Sequence, residues 1–169
     1  LDYRITFGLN FLPRSMAGLD DWLHRLPDPN LVDPRTRTNA RTGRLLGGAA
    51  LRAARAWEPR LRRRVGAIFD RFDVVLAPTT ATPPVPVDAI DGLGGWQTDK
   101  VITAACPFAW PWNVLGWPGI NVPAGFTDTG LPVGAQLLGG ANTEPLLVSL
   151  AAQLESILRW QDETPQRWW

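Results

Sequence analysis

From Val101 to Thr127 the chain carries no acidic or basic side chain, and this stretch restricts the possible folds more than any other. Its length would suffice to cross a bilayer as a helix. Prolines at 107, 111, 118 and 123 forbid that, because each lacks an N–H and clashes with the preceding turn. An apolar segment that cannot be one continuous helix is expected to wind through the protein as buried loop and strand. No membrane insertion is expected.

Strand signals flank and enter this segment. Val74 to Ala77 is a short apolar run bounded by Asp73 and Pro78, as expected of a strand buried on both faces. Ile120 to Val122 and Val133 to Leu138 are two further strand candidates. The polar linker Phe126-Thr-Asp-Thr-Gly130 is short enough to make them an antiparallel hairpin. Pro78 to Pro86 reads as a stiff loop, Gly92 to Gly95 as a flexible patch, and Asp99 to Cys106 as a helical turn or two stopped by Pro107. Leu146, Leu147, Leu150, Leu154, Ile157 and Leu158 recur at helical spacing. Asn142 or Thr143 can cap that helix, Pro145 suits its first turn, and Glu155 can pair with Arg159. Pro165 follows it.

The first part of the chain reads as helical. Gly18 to Leu26 suggests a short helix with Asp20 or Asp21 at its N-terminus. Pro27, Pro29 and Pro34 then enforce a loop. Leu45, Leu46, Ala49, Ala53 and Trp57 predict a helix from about Arg41 to Trp57, which Glu58-Pro59 breaks or kinks before a second helix to about Phe69. Strands and helices alternate, so the class is α/β with a mixed sheet covered by helices, in a single partial domain over residues 1–169.

Charge is balanced in total and uneven in place. The whole chain is +1 at neutral pH, yet most of its arginines precede Asp73. The densest cluster, Arg60-Leu-Arg62-Arg63-Arg64, sits beside a predicted apolar stripe of Leu61, Val65, Ile68 and Phe72. Those arginines therefore form a solvated face, and no nucleic-acid partner is expected. With one histidine, His24, and one cysteine, Cys106, there are too few soft ligands for zinc and no internal disulfide. No metal or cofactor is expected, and a reducing cytoplasm is the simpler setting. No basic stretch followed by an apolar block marks a secretory leader, and a chain beginning with Leu1 suggests a piece of a longer polypeptide.

Nucleophilic chemistry has few carriers. The three serines are Ser15, Ser149 and Ser156, and none lies in a glycine-rich turn. Ser15, Asp20 and His24 lie close in sequence without the context of a catalytic triad. Cys106 has no histidine near it in sequence.

One set of motifs does have a recognisable order. Asn113-x-x-Gly116-x-Pro118-Gly119 leads to Val122-Pro123-Ala124-Gly125, then to Gly130-Leu-Pro132-Val-Gly134-x-Gln136-Leu137, with Asp73-Val-Val-Leu-Ala-Pro78-Thr79 upstream. This order resembles the C-terminal third of the amidase signature family, most convincingly from about Arg44 to Pro165. The resemblance implies cleavage of linear amides to an acid plus ammonia or an amine through a serine acyl-enzyme. It also implies that the family's Ser-Ser-Lys machinery lies upstream of, and outside, these residues. No catalytic role therefore transfers to any residue here. By the same resemblance, Cys106, Phe108, Trp110 and Trp112 line an acyl pocket. Cys106 stands where glutamine-using members carry an acid, so the implied acyl group is apolar or aromatic. Core packing by the same rings is the alternative, since pockets and cores share composition. Asn113 is expected to brace its loop by hydrogen bonds to backbone, with Gly116, Gly119 and Gly125 allowing tight turns and Pro118 and Gln136 completing the motif. The implied partners are a small-molecule amide and the missing N-terminal portion of the domain. Unpaired strand edges could also make a homo-oligomer. A stand-alone, non-catalytic partner-binding protein built on the same fold is the second possibility.

Overall fold

The computed structural model describes residues 3–163; Pro165 lies outside them. Within that range are six α-helices and three strands: α1 (Tyr3–Leu23), α2 (Pro34–Leu46), α3 (Ala49–Gly66), β1 (Val75–Pro78), α4 (Gly95–Ala105), α5 (Trp110–Leu115), β2 (Gly119–Phe126), β3 (Pro132–Leu138) and α6 (Glu144–Leu158). The class is α/β, mostly helical with a small sheet.

The sheet has the order β1-β3-β2, and β3 pairs antiparallel with both neighbours. Every strand pairing among the described residues is antiparallel. The expected hairpin forms, with Asn121 opposite Gln136 and Val122 opposite Ala135. Its register shifts between Pro123 and Phe126, where Gly125 takes a φ of 107° that a side chain would resist. Because side chains alternate across a strand, the sheet has two unlike faces. Ile120, Val122, Ala135 and Leu137 meet Leu147 and Ala151 of α6 in one core. Gly119, Asn121, Gln136 and Leu138 share the other face. β1 is an edge strand, and Leu76 on it is 70% exposed, so it is not buried on both faces as expected.

The helical part corrects several expectations. α1 runs far earlier than a short helix from Gly18, which places Asp20 and Asp21 in its last turns. Met16 and Leu23 of this helix are buried; that tertiary burial carries it through Pro13. α2 begins at Pro34 behind Asp33, whose carboxylate accepts from the Arg35 N–H at 2.7 Å. The break that follows falls at Gly47-Gly48 and not at Glu58-Pro59. α3 runs through Pro59, with Leu61 buried against Trp110 and Leu115. Arg60, Arg62, Arg63 and Arg64 are exposed, as a solvated face should be. The predicted stripe ends early: α3 stops at Gly66, leaving Ile68 and Phe72 at 39% and 53% exposure. Gly95 starts α4 instead of extending a flexible patch, and α4 is a full eleven residues. Two prolines of the uncharged segment bracket a helix missed in sequence, α5, with Pro111 in its first turn where no N–H is needed. Thr143 is the N-cap residue of α6 and Pro145 occupies its first turn, while Arg159 pairs with Asp162 at 2.7 Å in place of Glu155.

Candidate functional site

The sheet face turned away from α6 is roofed by α5 and Trp117, leaving a cleft of about 290 Å³. β1 ends at Pro78, and the next residue, Thr79, stands at one wall. α5 supplies Trp112 and Asn113, β2 supplies Gly119 and Asn121, and β3 supplies Gln136 and Leu138. No ionisable side chain lines it.

Hydrogen bonds fix its polar floor. The Thr79 hydroxyl donates to Asn121 Oδ1, and the Thr79 N–H donates to the Gly134 carbonyl at 3.0 Å. Gln136 is buried, and its Nε2 donates to the Pro78 carbonyl at 2.9 Å, clipping β3 to the end of β1. The indole of Trp112 donates to the Gly139 carbonyl at 2.7 Å and meets Phe69 and Trp117 edge-on. This satisfies its polar edge and locks the ring. Asn113 departs from expectation: its side chain is exposed, makes no hydrogen bond among the described residues, and so does not brace the loop. It is an amide at the mouth of the cleft with donors and an acceptor unused.

The structure thus brings Trp112, Asn113 and Gln136 together and adds Thr79, Asn121 and Trp117, which sequence reasoning did not assign to a site. The signal for Asn121 was its alternation with Gly119 on one strand face. Other expected pocket residues lie elsewhere. Trp110 is buried against Leu61 and Leu115, Phe108 is 37% exposed, and Cys106 is exposed at the C-terminal end of α4. Gly116 caps α5 with a φ of 63°, and the Pro118 carbonyl accepts from Gly139 N–H at 2.9 Å. Gly119 is not in a turn; it opens β2, where a Cβ would come within 3.0 Å of Leu138.

Groups capable of nucleophilic or base chemistry are remote from the cleft. Ser15, Ser149 and Ser156 are exposed and do not line it. Lys100 lies over the Trp96 ring at 5.5 Å. Ser15 lies on α1 about two turns before the helix ends, whereas His24 lies in the turn just past that end. His24 is engaged with the Asp20 carbonyl at 2.7 Å and with Arg44 at 3.5 Å. No cluster of metal-ligating side chains occurs among the described residues. Nor is any helix among them long and apolar enough to cross a membrane.

Residues 4–148 match the model of the family described as Amidase. The chain belongs to this amidase family. AmiA2 of Mycobacterium tuberculosis, an amidase by name, is 56% identical over 168 residues, 99% of this chain and 35% of that protein. AmiB2 of the same organism, likewise an amidase by name, is 35% identical over 164 residues, 97% of this chain and 36% of its own length. Among solved structures, an amidase superposes with a TM-score of 0.69 at 20% identity, over 92% of this chain and 35% of that one. A 6-aminohexanoate cyclic dimer hydrolase gives 0.65 at 24% identity, over 92% and 34%. At these identities the structures establish the fold. The chain spans about a third of the length of the relatives it matches.

Proposed function

We propose that this chain is the non-catalytic, C-terminal wall of the substrate pocket in an amidase acting on linear carboxylic amides. The parent reaction adds water across the C–N bond, releasing a carboxylic acid and ammonia or an amine. A serine would first displace the amine to form an acyl-enzyme, which water would then hydrolyse. The serine, its lysine base and the oxyanion donors would come from polypeptide outside these 169 residues. The observation carrying this reading is the cleft itself, where aromatic and amide side chains converge without an ionisable group. Such a wall can hold a neutral substrate and cannot activate it. Exposed apolar residues agree with a missing covering layer: Leu76 on the sheet edge, and Val148 and Ile157 on α6, at 60% and 74% exposure.

The test is made on the purified chain with simple aryl and alkyl amides. No acid release above buffer is expected, and no serine should be labelled by a fluorophosphonate. A chain extended upstream through a lysine-containing and Gly-Ser-Ser-rich stretch should gain both. Turnover by the short chain that survives repurification would overturn the proposal.

A further inference from the structure

Away from the sheet, the end of α1 and one face of α2 enclose a second recess. Arg37, Arg41 and Arg44 stand at i, i+4 and i+7 on α2, so they share one helix face. All three line a cavity of about 240 Å³ with His24 and Asn30, and Arg37 and Arg41 continue into an adjoining one of about 310 Å³. Two of the guanidiniums are held in place. Arg37 donates to the Asn30 backbone and side-chain oxygens at 3.0 and 3.3 Å, and Arg44 donates to Asp20 at 3.3 Å. Arg44 also lies 3.5 Å from His24 Nε2. His24 Nδ1 lies 2.7 Å from the Asp20 carbonyl and 3.6 Å from the Asp20 carboxylate.

Three arginines against one aspartate leave the recess with a charge of +2. Arg41, at the junction of the two cavities, makes no hydrogen bond or ion pair among the described residues. A recess only partly neutralised by Asp20, with a free guanidinium fork at Arg41, suits a tetrahedral dianion, whose oxygens can accept from several arginines at once. A planar carboxylate offers one edge and one charge. Leu23 and Pro29 complete the wall with apolar surface that a small organic group could cover.

We propose that this recess binds the phosphate monoester group of a small organic molecule, independently of the amide cleft. The inference does not rest on the amidase reading, since none of its residues lines that cleft.

Calorimetric titration of the 169-residue chain at low ionic strength tests it. Phenyl phosphate should saturate at one site per chain, inorganic phosphate should bind the same site more weakly, and benzoate should not bind measurably. Arg41→Ala should weaken phenyl phosphate about tenfold, the loss of one partly screened charge-assisted hydrogen bond. Arg52→Ala, at an exposed arginine on α3, should leave it unchanged. Arg41 is exposed, so its truncation should preserve the far-ultraviolet circular dichroism spectrum. Equal binding of benzoate, or equal losses in the two variants, would show diffuse charge attraction and overturn the proposal. So would multi-site binding of an oligonucleotide with none of phenyl phosphate.

Discussion

The Trp112 indole N–H meets the Gly139 carbonyl at 2.7 Å, and this one bond ties α5 to the residue that follows β3. Gly139 is buried, and its own N–H returns to the Pro118 carbonyl at 2.9 Å. The cleft roof is thereby registered against the sheet at both ends of the Trp112-to-Pro118 segment. Trp112→Phe keeps the ring contacts with Phe69 and Trp117 but leaves the buried carbonyl short of a donor. It should cost about 1–3 kcal/mol, read as a lower urea midpoint in circular dichroism. An unchanged midpoint would mean that water replaces the indole without penalty.

Two glycines in the helical layer should respond with opposite signs. A Cβ at Gly43 would overlap the Met16 carbonyl, so α1 and α2 touch backbone to backbone there. Gly43→Ala must push the helices apart and should destabilise by about 1–3 kcal/mol or more. Gly18, in the interior of α1, has nothing within 4 Å of such a Cβ. Gly18→Ala should stabilise by about 0.5–1 kcal/mol through helix propensity alone. Thermal midpoints of the two variants decide, and a shift of the same sign in both would refute the close crossing.

Which parts of this architecture could be read in advance follows from what kind of force builds them. The β2–β3 hairpin and α6 announce themselves because period and turn chemistry are local: Val133 to Leu138 and Leu146 to Leu158 need only their neighbours in sequence to be recognised. α1 and the junction of α2 with α3 were misplaced because distant burial decides them. Pro59 looks like a break, yet it sits within a helix whose buried face outweighs the lost hydrogen bond, and Pro13 sits within α1 in the same way. The cleft divides in the same way. Asn113 and Gln136 stood out by motif, whereas Thr79 and Asn121 meet only because β1 and β2 flank the same strand, 42 residues apart in sequence. Trp110 and Trp112 differ by two positions on a short helix and so face different surroundings, one the α3 core and one the cleft.

The polar floor of the cleft depends on the absence of a side chain at position 134. A Cβ on Gly134 would lie 2.6 Å from the Thr79 hydroxyl and 3.0 Å from the Asn121 amide. Gly134→Ala should therefore break the Thr79–Asn121 bond and loosen the Thr79 N–H from the strand. Amide hydrogen exchange at Thr79 should accelerate about tenfold or more, a change of about 1.4 kcal/mol in opening free energy. Protection equal to that of the parent chain would show that the floor does not need the glycine.

Two carboxylates should pull the acid stability of the chain in opposite directions. Burial pushes Glu58 up, but hydrogen bonds from Arg62 and Arg14, and then their charges, outweigh it and hold it below its ordinary value. Its stabilising contribution is thus present above the unfolded pKa and is lost as pH falls through the lowered folded one. Asp99 is the reverse: burial raises it, and the Asn39 amide, which donates to both its oxygens at 2.8 and 2.9 Å, only partly offsets this. Its contribution is full below the unfolded pKa and is lost as pH rises through the raised folded one. On acidification from pH ~6 to ~3, across the ordinary carboxylate range, Glu58→Gln should lose less stability than the parent chain. Asp99→Asn should lose more, because it lacks the group whose proton uptake favours the folded state. Urea midpoints measured across that interval, each referred to the parent at the same pH, cancel the carboxylates common to all three proteins. Shifts of the same sign in the two variants would contradict the burial of Asp99, the ion pairing of Glu58, or both.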